Sequence, residues 1–357
     1  MIKRLSLEDF RNYESADVAF DSKVNLLVGA NGQGKTNLLE AVFFLGMLRS
    51  FRTSGIRSLR RIGSSRFRIS AAIDEGRSWD TSLDIVYGER RELRVDDVMA
   101  RKASEFVGRV RVVAFSPSDI MLVTESSSIR RRFLNMFLAS SSPAYLAALS
   151  EYGEALAARN ALLRNGSGDP AEYAAFERIL ADRGSFVVAA RDDALSALSD
   201  AMSAVHGGIR RDGGRLTLRH NRHAASRDPA AYAEKLAGDR GRDMARGATS
   251  FGPHLDDFEF LLDGRPLRSY GSTGQCRLAA LCLKMAAVET LADGSASGVV
   301  ALVDDVTGEL DAAARDAFFR VLDKSRQSFF TFTELPEGEP VSDGAVFLVE
   351  DGRIRGA

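Results

Sequence analysis

The chain has 357 residues, 45% of them hydrophobic, and a formal net charge of −1. That length and apolar content exclude a disordered chain and a minimal disulfide-stapled fold, and suit two structural units or one domain with a large insertion. Near-neutrality excludes a uniformly basic nucleic-acid coat but leaves room for a local basic face.

In chain order, residues 2–9 (IKRLSLED) and 24–28 (VNLLV) read as strands, the second ending at a glycine-rich loop. Residues 36–48 carry helical periodicity. RFRISAAIDE, WDTSLDIVY and RRELRVDD alternate with period two between turn residues, which predicts an antiparallel meander with Trp79 in its core. RVRVVAFSPSD gives another strand running into a Ser-Pro turn. From Ile129 to 205 the chain is rich in Ala, Leu and charge at helical spacing, broken at 141–143 and at RNGSGDP (164–170). This predicts a helical arm with its loop tip at the second break. Residues 206–247 are Gly- and Arg-rich and specify no clear element. Then come DFEFLLDGRPL (a hairpin around Asp263–Gly264), a helix opening at SYGSTGQC, the strand GVVALVDDV, a helix over 310–323, the strand SFFTFT and a final hairpin AVFLVEDGRIR. The pattern is an α/β head assembled from both ends of the chain, 1–120 and 250–357, with a helical insertion over 121–249.

No apolar stretch approaches membrane-spanning length and no basic-then-apolar leader opens the chain, so a cytoplasmic protein without a membrane partner is expected. The only cysteines, Cys276 and Cys282, match no metal spacing and are expected to be buried thiols of a reducing compartment.

GANGQGKT, residues Gly29 to Thr36, fits the pattern G-x-x-x-x-G-K-[ST] in full. Its glycines let successive backbone N–H groups of Gly29, Ala30, Asn31, Gly32, Gln33 and Gly34 curl toward a phosphate. The following helix adds its positive end. Lys35 is expected at the β- and γ-phosphates and the Thr36 hydroxyl on Mg²⁺. The strand VVALVDDV ends in Asp304, placed to hold the Mg²⁺ shell, and Asp305, placed to orient the attacking water. Two Asp at a strand end are a turn signal on their own; beside a phosphate loop they become a metal and water site. From 49 to 68 the chain carries seven arginines and no acidic residue, Arg57, Arg60 and Arg61 among them. Such a segment suits a duplex phosphate backbone, with a solvated face as the plain alternative. The clusters Arg130–Arg132 and Arg210, Arg211, Arg215, Arg219 and Arg222 repeat it. His220 and His223 lack a carboxylate or thiol partner in the sequence, so zinc is not expected.

The run Ser272, Thr273, Gly274, Gln275 before an Asp-ending strand resembles the signature motif of ABC-type ATPases. That motif caps the γ-phosphate held by the opposite subunit, and GELD (308–311) resembles the D-loop of the same family. The blocks LSLEDFRNYES, GANGQGKTNLLEAV, AFSPSDIMLV, RRRFLN, ARNALL, TSFGPHLDD, GQCRLAALCLKMA and DDVTGELD together are similar to the RecF family, whose heads resemble those of SMC-type proteins. The resemblance implies an ABC-type P-loop ATPase head with a mixed sheet, an antiparallel meander and an inserted helical arm. It also implies ATP and Mg²⁺ as cofactors, an ATP-dependent homodimer on double-stranded and gapped DNA, RecR and RecO as partners, and slow turnover. Ser272, Gly274 and Gln275 would then complete the partner's site, with Lys35, Asp305 and Ser272 as the catalytic set. Arg11 in FRNY would approach the phosphates. Thr331 or Thr333 would stand where other ABC proteins carry a γ-phosphate-sensing His, ordinary β-propensity being the other explanation for either. Cys276, Leu255, Gly308 and Asn135 depart from the family pattern without removing a nucleotide ligand. The other classes weighed were a subunit of an ABC transporter or of another ABC complex, a P-loop kinase, and an ATP-binding scaffold that never hydrolyses.

Overall fold

The computed structural model describes residues 1–53, 55–76, 78–166, 169–210, 213–223, 227–293, 298–306, 308, 310–335 and 344–356. In chain order, β1 (Ile2–Phe10) and β2 (Tyr13–Ala19) form a hairpin, β3 (Val24–Val28) runs into the glycine-rich loop, and α1 (Lys35–Met47) follows. A 3-10 turn at Ile56–Leu59 precedes β4 (Phe67–Ile73), β5 (Thr81–Tyr87), β6 (Arg91–Val95), β7 (Val98–Met99) and β8 (Val112–Phe115). Helices α2 (Met121–Thr124), α3 (Ser127–Ser141), α4 (Pro143–Asn165) and α5 (Pro170–Ile209) come next. They lead to β9 (Leu216–Asn221), α6 (Pro229–Arg246), β10 (Asp257–Leu262), β11 (Arg265–Pro266) and α7 (Leu267–Tyr270). The chain closes with α8 (Thr273–Asp293), β12 (Val300–Asp304), α9 (Ala312–Leu322), β13 (Gln327–Phe332), β14 (Ala345–Glu350) and β15 (Arg353–Gly356).

Two compact units result: Met1–Ile120 with Ala204–Gly213 and Ala280–Ala357, and Met121–Ser203 with Gly214–Ala279. The sequence placed 250–279 with the head. Instead β10 pairs with β9 on one side and β11 on the other, and these ladders hold the stretch in the second unit.

The first unit is built on two sheets. One is an antiparallel meander in the order β2-β1-β4-β5-β6-β7; the other runs β15-β14-β3-β13-β12-β8, parallel except for β15. Helix α1 lies between them. Its Phe44 meets Phe67 of the meander edge to face, with centroids 5.6 Å apart. On the other side a Cβ at Gly46 would lie 2.5 Å from the Val110 carbonyl oxygen. Being enclosed on both sides explains why TNLLEAVFFLGM is apolar almost all round rather than on one stripe. Trp79 departs from expectation: it lies in the connection before β5 and is 64% exposed. The inward-facing alternation begins only at Thr81, Leu83 and Ile85.

The second unit is mostly helical, with the β9–β10–β11 sheet. Ser142 caps α4 by accepting from the Tyr145 N–H, with Pro143 in the first turn, and Gly166 ends the helix in a left-handed conformation. Asp228, Pro229 and Gly247 do the same for α6. Tyr152, Leu180, Val188, Tyr232, Leu236 and Phe251 form its apolar centre. Gly184 lets α5 pass Tyr232, since a Cβ there would come within 2.9 Å of the ring. At that centre sits Arg159, fully buried, bonded to Glu177 at 3.0 Å and Asp243 at 2.8 Å.

Candidate functional site

Strand β3 lies inside the parallel sheet, so the loop after Val28 leaves from its carboxyl edge, where open α/β sheets bind ligands. A Cβ at Gly29 would sit 2.2 Å from the Val349 carbonyl oxygen, so only glycine allows β3 to enter the loop beside β14. Gly34 has φ +121°, and a side chain there would strike Asn12 and Tyr13. The loop is braced from behind. The Tyr13 hydroxyl donates to the Gly34 carbonyl (2.9 Å), and the Asn12 amide to the Gln33 carbonyl (2.9 Å). The Asp351 N–H donates to Gln33 Oε1 (2.6 Å), so the Gln33 side chain belongs to the brace. No backbone N–H from Asn31 to Thr36 donates to another described residue. A ring of unused donors at a helix start is what an anion needs.

The loop opens on a cleft of about 350 Å³ lined by Asn31, Gly32, Gly34, Lys35, Thr36, Asn37, Arg52, Pro117, Asp304, Asp305, Thr331, Phe332 and Thr333. Gly29, Ala30 and Gln33 are not in its lining; they shape the loop. Lys35 donates from Nζ to the Gly29 and Ala30 carbonyls, at 2.5 and 2.8 Å. Burial pulls its ammonium below the ordinary lysine range, and the charges of Asp304 and Asp305 oppose that shift. The Thr36 hydroxyl donates to Asp304 Oδ1 at 2.8 Å, which brings together residues separated by 268 positions. Asp305 is exposed, with φ +53°. Thr331 is buried, donating to Asp304 Oδ1 (3.0 Å) and accepting the Asp305 N–H (3.1 Å), whereas Thr333 is exposed.

Two arginines differ from their sequence assignments. Arg11 does not reach the loop: its guanidinium grips buried Glu40 of α1 at 2.7 and 2.8 Å and the Ser58 carbonyl at 2.8 Å. Arg52, read only as part of a basic segment, lines the cleft and donates to Asn37 Oδ1 at 2.9 Å. Spacing alone gave no sign of this. Arg52 reaches the cleft because the chain turns back along α1 after Leu48.

Ser272, Thr273, Gly274 and Gln275 belong to the second unit and are all exposed. Ser272 Oγ accepts the Gln275 N–H (3.2 Å), and Gln275 Oε1 accepts the Ser272 N–H (2.9 Å). This is a reciprocal capping box, the local reason for Ser and Gln three apart. Because Ser272 Oγ accepts in the box, its own proton stays available to an outside acceptor. Of the stretch resembling a D-loop, Gly308 and Leu310 are described and Glu309 lies outside the described residues; Asp311 caps α9 and pairs with Arg210.

The basic segment is less lopsided in space than in sequence. Arg61 pairs with Glu14 at 2.9 Å and Asp9 at 3.7 Å, and Arg68 with Asp84 at 2.7 Å, all from neighbouring strands. Among the described residues, Arg57 is exposed without a carboxylate partner and the Arg60 side chain bonds only to the carbonyls of Arg57 and Ser65. Ile62, 98% exposed, caps the turn after them. The other clusters are largely neutralised. Arg130 pairs with Asp257, Arg219 with Glu259 and Arg222 with Asp192, while Arg211 lies outside the described residues. His220 does have a carboxylate partner, Asp192 at 2.6 Å, which α5 supplies from a distance in sequence. No group of three or more His, Cys, Asp or Glu that could hold a metal occurs among the described residues. At Asn135, an amide oxygen accepts from Tyr145 (2.7 Å) and Arg191 (3.0 Å). Cys276 and Cys282 are free and buried. No helix among the described residues is long and apolar enough to cross a membrane.

This sheet order, with a phosphate loop after β3 and an aspartate at the end of β12, defines an ABC-type P-loop ATPase head. The family described as RecF/RecN/SMC N terminal domain matches residues 1–334. The chain is 32% identical over 370 aligned positions to the DNA replication and repair protein RecF of Lacticaseibacillus casei, covering 99% of each. It is equally identical over 367 positions to that of Bacillus velezensis, again covering 99% of each. A solved structure of the recombination mediator protein RecF with ATP superposes with a TM-score of 0.91 at 29% identity, covering 100% of this chain and 97% of that one. An Smc head derived from Pyrococcus furiosus shares the fold at a TM-score of 0.54 and 18% identity, covering 100% of this chain and 95% of that one. The chain belongs to the RecF family, whose members are ABC-type ATPases.

Proposed function

We propose that this protein is an ATP-dependent DNA-binding switch of replication and recombinational repair, in which bound ATP joins two copies on duplex DNA beside a single-stranded gap and slow hydrolysis releases them. The observation that carries the ATPase reading is the meeting of Lys35, Thr36, Asp304 and Asp305 around one cleft lined by the unused N–H groups of the loop. Similarity to RecF, including a structure described with ATP, supports the same nucleotide here.

Lys35 would exchange its two carbonyl partners for phosphate oxygens. The Thr36 hydroxyl and Asp304 carboxylate are hard oxygen donors 2.8 Å apart, and they fit Mg²⁺, which takes one or two carboxylates plus substrate phosphates rather than a full protein cage. Once bound, Mg²⁺ neutralises charge on the β- and γ-phosphates. Asp305 would orient the attacking water. As a side chain one methylene shorter than Glu, it reaches less far, in keeping with slow turnover. Ser272, Gly274 and Gln275 would act on the partner's nucleotide, and their exposure together with the free Ser272 proton supports this. Arg57 and Arg60, with Arg61, would meet the DNA backbone. RecO and RecR are the partners that family membership suggests.

Sedimentation with and without Mg·ATP, repeated with gapped duplex, tests the switch. The expected result is a monomer that becomes a dimer on ATP. A sedimentation coefficient indifferent to ATP, with DNA present or absent, would end this reading.

A further inference from the structure

Thr331 has no role in the scheme above, yet its hydroxyl is the hinge of the cleft's acidic half. Strand β13 lies between the strand that launches the phosphate loop and the strand that ends in Asp304: Thr331 pairs with Leu27 on one side and Asp304 on the other. From that middle strand one side chain reaches both aspartates. A hydroxyl offers one proton and two lone pairs, and both functions are in use. The proton goes to Asp304 Oδ1 at 3.0 Å, the oxygen that also accepts from Thr36 at 2.8 Å. A lone pair receives the Asp305 N–H at 3.1 Å. Asp305 is in the left-handed region at φ +53°, which aspartate enters more readily than most non-glycine residues but still at some cost, so a bond to its backbone helps to hold it there. Asp305 is exposed, and among the described residues this bond from its N–H is the hydrogen bond that holds its backbone.

We propose that Thr331 is a positioning residue: one hydroxyl fixes the Asp304 carboxylate toward Thr36 and holds the Asp305 backbone in the turn that presents its carboxylate to the cleft. Resting on the ATPase reading of this cleft, the proposal makes metal-ligand geometry and water orientation depend on a single group. Losing an outer partner of a metal ligand typically lowers metal affinity or activity about 10- to 100-fold.

The test compares Thr331→Val, which keeps the β-branched shape without the hydroxyl, with Thr331→Ser, which keeps the hydroxyl. In the nucleotide-free protein, amide exchange of the peptide covering 300–306 is expected to quicken in Thr331→Val and not in Thr331→Ser. With nucleotide, Thr331→Val should bind ATP in EDTA within about threefold of the parent, need about 10- to 100-fold more Mg²⁺ for half-maximal turnover, or lose kcat by a similar factor. Thr331→Ser should restore both. Parental exchange, Mg²⁺ requirement and kcat in Thr331→Val would overturn the proposal, and so would a Thr331→Ser variant as impaired as the Val. The underlying reading fails in a different way, through a parent protein that does not bind ATP, while the exchange measurement still judges the hydrogen bond.

Discussion

Replacing Lys35 with Met separates the cation's work on nucleotide from its work in the fold. The ammonium is held by the Gly29 and Ala30 carbonyls at 2.5 and 2.8 Å, on a residue only 8% exposed. Gly29 is partly exposed and Ala30 exposed, and water can replace the lost donor at both. Because burial depresses the lysine pKa, the charged form is disfavoured by folding, and a neutral side chain of similar length removes that penalty. Stability should therefore hold or rise slightly. Nucleotide binding should not: a charge-assisted hydrogen bond contributes about 1.5–3 kcal/mol, equivalent to a rise of roughly 10- to 150-fold in the Kd for ATP. Titration with a fluorescent ATP analogue and a thermal melt measure the two effects separately. A Kd within about twofold of the parent would refute the assignment of this cleft to the phosphates. A melting temperature lowered by more than about 4 °C, beyond roughly 1–2 kcal/mol for a unit of this size, would instead make Lys35 a structural brace.

Mixing Ser272→Arg with Lys35→Met, each inactive alone, should restore part of the ATPase activity, because a mixed dimer pairs an intact cleft with an intact signature run; mixed dimers without turnover would count against sharing in trans. Changing Arg57, Arg60 and Arg61 to Glu should weaken duplex binding and flatten the log–log salt dependence by about 0.9 for each phosphate no longer neutralised, close to two units, since Arg61 is already paired with Glu14. An unchanged slope would return the segment to a solvated face. Arg159→Met should destabilise the helical unit by about 3 kcal/mol, the low end for a broken buried pair, because Glu177 keeps Arg240 at 2.6 Å and Asp243 keeps the Ser250 N–H at 3.0 Å. Amide exchange across 151–250 reads this directly, and unchanged protection would show the network to be dispensable. Burial pushes the Cys282 thiol up to about 12 and raises that of Cys276, so both stay protonated at pH 8. Iodoacetamide should modify both only after denaturation, and rapid labelling of the native protein would contradict their burial.

The sequence by itself determined the local chemistry. A strand, a loop with Gly at 29, 32 and 34, and a helix are contiguous in the chain, so the pattern of a phosphate cradle built from backbone N–H groups is legible without the tertiary structure. Period-two alternation likewise gave the meander, and Ser142-Pro143 and the break after Asn165 bounded α4. The signals for α6, Asp228-Pro229 and Gly247, were present but obscured by the surrounding arginines. What only the tertiary structure decided are the pairings across the chain. Thr36 meets Asp304 because β3 and β12 flank β13, and Thr331 holds both aspartates from that middle strand. Arg11 is drawn away from the loop to buried Glu40, and Asp9, Glu14 and Asp84 neutralise arginines that looked unopposed in their own segment. Charge and hydrogen-bond partners follow distance in space, and a linear pattern records distance only along the chain.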